Sequence, residues 1–166
     1  MDVIILKTYK TYKISIVFTL LMLAAGLSFL FICILALIDE FFFLGILILI
    51  IPGIFIYYGF YLLKKRRENT GFYWDDEGII IDLDGNKVYW YEIEDIVYSG
   101  FPDTKATVIS THYTHHENIR IRHKKWQPTI AHIIYWYLMA QPKDYHKNLM
   151  LTWEEKKKSQ FKMNSP

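Results

Sequence analysis

Residues 14–38 read ISIVFTLLMLAAGLSFLFICILALI, and residues 41–63 read FFFLGILILIIPGIFIYYGFYLL. Neither stretch contains Asp, Glu, Lys, Arg or His. As helices these 25 and 23 residues would measure roughly 37 and 34 Å, enough to cross a hydrocarbon core about 30 Å thick with some tilt. A soluble helix pair would keep a polar stripe, and neither run has one. The first run is longer than the apolar region of a signal peptide and no Ala-x-Ala-like site follows it, so it reads as a retained span. Only Asp39 and Glu40 separate the runs. The sequence therefore predicts a two-helix transmembrane hairpin over residues 14–63.

Charge sets the orientation of that hairpin. Lys7, Lys10 and Lys13 precede the first run, Lys64, Lys65, Arg66 and Arg67 follow the second, and the turn has no base. Lys and Arg flanking spans favour the cytoplasmic side, so both termini are expected there. Tyr9, Tyr12, Tyr57, Tyr58 and Tyr61 fall near the inner ends, and Phe41, Phe42 and Phe43 near the outer end, as expected of interfacial aromatics. Pro52-Gly53 reads as a mid-span kink. Ala24, Ser28, Gly26 and Gly45 are small residues that suit close helix contact, within the hairpin or between copies. No ionisable residue lies inside either run to carry protons or ions.

The composition agrees. The chain has 166 residues, 52% of them hydrophobic and 17% aromatic, which excludes a disordered polymer. One cysteine, Cys33, excludes an internal disulfide framework. Nineteen bases against seventeen acids give no general affinity for nucleic acid, and none is expected as a partner.

Beyond a basic linker at residues 64–71, residues 72–141 read as strands. Strands are expected at residues 72–74, 78–82, 87–91 and 96–99, with a hairpin turn at Asp84-Gly85, where glycine supplies a positive φ. A tight corner over residues 92–95 turns Ile93 and Ile96 inward. A further hairpin is expected from residues 106–113 and 118–123 around His115-His116-Glu117. From Gln127-Pro128 the apolar spacing of Ile130, Ile133, Ile134, Tyr137 and Leu138 predicts a helix ending before Pro142. Residues 142–166 read as a last helix and a basic tail.

Gly78-Ile-Ile-Ile, the turn, and Trp90-x-Glu92-Ile93-x-x-Ile96 together carry a resemblance. Over residues 41–98 the chain resembles small bacterial membrane proteins with two N-terminal spans and a pleckstrin-homology-like (PH-like) cytoplasmic domain. The resemblance implies an α+β membrane protein in which a PH-like antiparallel sheet or partial barrel is closed by a C-terminal helix. Five or six strands are legible where a full PH fold has seven, and Val3-Ile-Ile-Leu6 is a candidate for the missing one. Most of that group have no assigned activity, so the resemblance implies a fold more than a function.

Four motifs bear on chemistry. His112, His115 and His116, followed by Glu117, have the donors for a zinc site, but zinc-protease motifs need a helix where strands are expected here. Asp82-x-Asp84-x-Asn86 resembles the start of a calcium loop, yet Lys87 and Ile93 stand where Gly and Glu are required. Asp75, Asp76 and Glu77 form an acidic turn with no nucleophile beside them. Finally, residues 72–103 hold nine acids and one base, while residues 104–166 hold eleven bases, four acids and all six histidines. Within the second group Arg120, Arg122, Lys124 and Lys125 form a run that suits anionic headgroups or phosphate, as do Lys64, Lys65, Arg66 and Arg67. The alternative is that the run pairs with the acidic half of its own domain, residues 72–103.

The reading at this point is a non-enzymatic, multi-pass protein of the bacterial inner membrane without a cofactor. Its cytoplasmic domain would bind a protein or anionic lipid. The alternatives are an immunity protein against a toxin and a metal-dependent enzyme using the histidine cluster.

Overall fold

The computed structural model describes residues 10–38, 48–101 and 104–163. The chain is α+β and divides into two compact units, one formed by Ile14–Thr70 and the other by the described residues up to Lys13 with those from Gly71 onward.

The first unit is a pair of helices, α1 (Ile16–Ile38) and α2 (Ile50–Arg67). Ser15 starts α1 by accepting the Phe18 amide at 3.3 Å, which satisfies one of the free amides of the first turn. The helices approach closely at two glycines. A Cβ on Gly26 would lie 2.7 Å from Ile56 Cγ1, and one on Gly59 would lie 2.5 Å from Leu23 Cδ2. Phe29 and Phe55 stack beside this contact at 6.0 Å. Ala24 and Ser28 are exposed, so they do not make the contact between α1 and α2. Gly45 lies outside the described residues.

α1 is the one described helix long and apolar enough, by length and composition, to cross a membrane. The second expected span is only partly described, because residues 41–47 lie outside, and α2 ends in Lys64, Lys65, Arg66 and Arg67. The helix is interrupted by a turn at Leu49, three residues before Pro52. Pro52 lies in the first turn of α2, where a missing N–H removes no intrahelical bond. At the other end Asn69 takes φ 54°, and the amides of Asn69 and Thr70 reach back to the carbonyls of Arg66 and Lys65. This is a Schellman cap.

The second unit holds seven described strands in three antiparallel sheets, and these do not close into a barrel. β1 (Tyr12–Lys13) pairs with β2 (Gly71–Phe72), and β3 (Gly78–Ile80) pairs with β4 (Lys87–Tyr89). The expected strand at residues 72–74 shortens accordingly, and Trp74 makes only a single bridge to Ile79. Val3–Leu6 lies outside the described residues, so the N-terminal strand that is seen is β1. Gly85 makes the β3–β4 turn with φ 84°, and Asp82 Oδ1 accepts the Asp84 and Asn86 amides at 3.0 Å each. These bonds explain the Asp-x-Asp-x-Asn pattern as turn chemistry.

The third sheet runs β5 (Ile93–Phe101), β6 (Thr104–Thr111), β7 (Ala131–Tyr135). Here the sequence reading was exchanged between two segments. Residues 118–123, expected as a strand, belong to helix α3 (His116–Arg122), with only Ile119 buried. The Ile-Arg-Ile-Arg alternation imitates a strand, but Glu117 and Arg120 pair one turn apart, a helical spacing. The segment expected as a helix is β7. His132 and Ile134 face inward and Ile133 outward, which is period two, and β7 supplies the partner that α3 does not give β6. Its β-branched and aromatic residues favour the strand.

The last helix, α4, runs Pro142–Met163, with Pro142 at its first position. Tyr145, Leu149 and Trp153 recur every four residues and form its buried face. Tyr145 sits within 5.2–6.3 Å of the rings of Tyr12, Trp74 and Phe72, and Trp153 stacks on Trp90 at 6.2 Å. The helix expected to close the sheet is thus the centre of an aromatic core.

Candidate functional site

Trp90-Tyr91-Glu92 forms a short 3-10 turn between β4 and β5. The turn buries Glu92, which is 1% exposed. A buried carboxylate needs every oxygen partnered. Glu92 accepts the Tyr89 amide at 2.9 Å and both terminal nitrogens of Arg122 at 2.6 and 2.8 Å. Arg122 also donates to the Lys87 carbonyl and lies over the Tyr89 ring at 4.5 Å. The hydrogen bonds that Arg122 donates to Glu92 raise the guanidinium pKa above its usual value, despite the opposing effect of burial.

A second charged group continues this seam. Lys87 Nζ reaches Asp75 at 2.6 Å and Glu77 at 3.0 Å, and Asp75 Oδ1 takes the Glu77 and Gly78 amides. Burial pushes the Asp75 carboxyl up. The Lys87 and amide hydrogen bonds outweigh it, so its pKa falls below the ordinary value. The acidic turn is therefore a clamp on β4. Beside it lies an open groove of about 480 Å³, lined by Asp76, Glu77, Tyr89, Trp90, Tyr91, Lys156 and Ser159. Its Tyr89 and Tyr91 rings are stacked at 5.6 Å, and Asp76 faces Lys156 at 3.7 Å.

The histidines of the expected metal cluster are not brought together. His116 donates to the Thr111 carbonyl, while His115 turns edge-on to Tyr91. Among the described residues no three His, Cys, Asp or Glu side chains form a group able to hold a metal. The sequence reading missed a different pair. His123 and His132 are both buried, with ring centroids 5.9 Å apart. His123 Nε2 donates to the Lys87 carbonyl, and among the described residues His123 Nδ1 and His132 Nε2 have no partner. Burial lowers both pKa values, that of His132 to about 4, and the Lys125 charge adds to the effect. The signal in the sequence was His132 inside the otherwise apolar stretch Ile130-Ala131-His132-Ile133-Ile134.

The basic run divides by role. Arg122 is consumed by Glu92, and Arg120 forks onto Glu117. Lys124 and Lys125 make no ion pair among the described residues, and Lys124 is exposed. Beside them Trp126 is 93% exposed. Of the expected pairing with the acidic half, residues 72–103, only Arg122–Glu92 is found among the described residues, since Glu117 lies outside that half. In the helical unit Arg66 donates to the Ile14 carbonyl and Lys65 lies 5.6 Å from the Tyr61 ring centroid, while Lys64 and Arg67 are exposed.

Comparison with family models, with curated proteins and with solved structures finds no match.

Proposed function

We propose that this chain is a non-enzymatic membrane-anchored protein whose α+β unit binds a protein partner or anionic lipid from the cytoplasmic side of a bacterial inner membrane. The observation that carries the reading is the surface of α1. Val17, Leu20, Leu21, Leu27, Phe31 and Ile32 all lie exposed along a helix of bilayer length. In water that surface would be an aggregation site, and in lipid it is solvated. α2 adds exposed Ile50, Ile54 and Phe60 before its four terminal cations, which supports a hairpin with both termini inside. The small antiparallel sheets packed on a C-terminal helix are compatible with a PH-like domain and with the resemblance noted above. The buried or half-buried charges Glu92, Arg122, Asp75 and Lys87 are paired with one another in structural contacts, which favours a binding surface over a reaction centre.

The test is topology followed by co-purification. In a Cys33→Ser background, Asp39→Cys should react with an impermeant thiol reagent on intact cells. Ser159→Cys should react only after permeabilisation. Release of the chain by alkaline carbonate, or labelling of Ser159→Cys on intact cells, would refute the anchor and its orientation. Gentle solubilisation of the full chain, with identification of co-purifying proteins, then separates a protein partner from lipid alone.

A further inference from the structure

Helix α3 ends in the same way as α2, but with a different residue at the strained position. The Lys124 amide bonds the Ile121 carbonyl at 3.1 Å and the Lys125 amide bonds the Arg120 carbonyl at 3.0 Å, with Lys124 at φ 53°. This Schellman geometry selects glycine or asparagine, because other side chains are strained at positive φ. A lysine is kept here, and the cap fixes the direction in which the following residues leave the helix. Arg120 donates to the Lys125 carbonyl and tightens the same turn.

What leaves is apolar and cationic together. Trp126 is 93%, Ile130 72% and Ile121 61% exposed, and Pro128 stiffens the loop between them. These side chains project rather than line a groove, so they suit insertion into a soft surface. Lys124 and Lys125 have no ion pair among the described residues, whereas the neighbouring arginines are each ion-paired within the unit. Exposed Trp flanked by Lys matches the headgroup boundary of an anionic bilayer. There the indole sits with its ring in the acyl region and its N–H in water.

We propose that the cap loop, residues 121–130, is an interfacial anchor for anionic lipid. Trp126 and Ile130 enter the headgroup–acyl boundary, and Lys124 and Lys125 engage lipid phosphates. This deepens the lipid half of the proposed function and rests on it. The lysines would make docking sensitive to ionic strength and lipid charge, each contributing about a fivefold change in the docked-to-free ratio.

The test uses the full chain with Cys33→Ser and Ile130→Cys, labelled with an environment-sensitive fluorophore. It is reconstituted in vesicles of phosphatidylcholine alone, or of phosphatidylcholine and phosphatidylglycerol in equal parts. The expected result is a blue-shifted emission, quenched by brominated acyl chains, in the anionic vesicles only. Adding Lys124→Gly and Lys125→Gln, which preserves the cap, should reduce the docked-to-free ratio about twenty-five-fold. Trp126→Ser should abolish the quenching. Water-like emission in both vesicle types, from a chain that resists carbonate extraction, would overturn the loop proposal and leave the anchor intact. Release by carbonate would instead count against the anchor. Emission shifted by inorganic phosphate without anionic lipid, or only after a soluble protein fraction is added, would also overturn the bilayer as the occupant.

Discussion

Arg122 of α3 and Glu92 of the turn before β5, thirty positions apart, meet through two hydrogen bonds of 2.6 and 2.8 Å around a carboxylate that is 1% exposed. The pair joins the C-terminal end of α3 to the corner from which the three-stranded sheet begins, and the same arginine bonds the β4 backbone at Lys87. Removing the guanidinium leaves the carboxylate buried with one remaining donor, the Tyr89 amide. Arg122→Ala should therefore destabilise the α+β unit by about 3 kcal/mol, the lower end for a buried pair because the arginine is partly in water. Thermal unfolding in detergent, followed by near-ultraviolet circular dichroism of the tryptophans, measures it. A change below about 1 kcal/mol would show that the pair behaves as a surface salt bridge.

Acid should loosen the same region before it affects the carboxylates. His132 is buried with a folded pKa of about 4, lowered by burial and by the Lys125 and His123 charges, with Asp82 and Glu92 opposing. Its unfolded value is about 6.5. A depressed folded pKa contributes stability above the unfolded value, and that stability is lost as pH falls toward the folded one. The loss should run from about pH 6.5 to 4 and amount to about 3 kcal/mol. His123 shifts in the same direction. Asp75, also held below its ordinary value, adds a second loss only below about pH 3.9. The melting temperature recorded across this range should fall, and His132→Leu should flatten the pH 6.5–4 limb. An unchanged limb in that variant would assign it to another group.

Sequence alone disclosed those features whose physics is local. An uncharged run of bilayer length, Gly85 at a positive-φ turn, and a last helix over the C-terminal residues each depend on a few adjacent residues, and each is found where expected. The errors arose where a partner distant in sequence decides. Ile119-Arg120-Ile121-Arg122 satisfies a strand pattern and a helix pattern alike. What settles it is that Arg122 must reach Glu92 while Ile119 is buried. Ile130, Ile133 and Ile134 fit helical spacing until β6 presents an open edge for Ala131–Tyr135. The Trp-x-Glu-Ile motif that carried the resemblance is explained by packing. Trp90 stacks on Trp153, Glu92 holds Arg122, and Ile93 and Ile96 are core. The basic run was legible as a patch. Its division into ion-paired arginines and lysines with no ion pair among the described residues was not, because partners distant in sequence made that division.

The helical pair offers two glycines of opposite character. Gly26 lies against Ile56, whose backbone nitrogen would be 3.1 Å from an added Cβ, while an added Cβ on Gly53 would have nothing within 4 Å. Gly26→Val should separate α1 from α2 and lower stability in micelles by about 1–3 kcal/mol, the usual range for overpacking. Gly53→Ala should be neutral or slightly stabilising, since alanine favours a helix by up to about 1 kcal/mol. Disulfide cross-linking between Leu23→Cys and Gly59→Cys in a Cys33→Ser background reports the separation directly. Equal cross-linking with and without Gly26→Val would refute the close approach.

Lys124 separates stability from binding in one substitution. At φ 53° its Cβ is strained by about 1–2 kcal/mol relative to glycine, although the unfolded chain gains freedom from the change and returns part of that. Lys124→Gly should therefore raise stability by about 0.5–1 kcal/mol while removing one of the two unpaired cations beside Trp126. Asn69 occupies the equivalent position after α2, and there the gain should be only a few tenths of a kcal/mol, because asparagine already tolerates this conformation. Thermal unfolding of Lys124→Gly in micelles, set beside its docking to anionic vesicles, reads both quantities on one protein. A more stable protein that docks less is the outcome expected of a residue retained for its charge. Unchanged docking would show that Lys124 contributes only a strained helix cap.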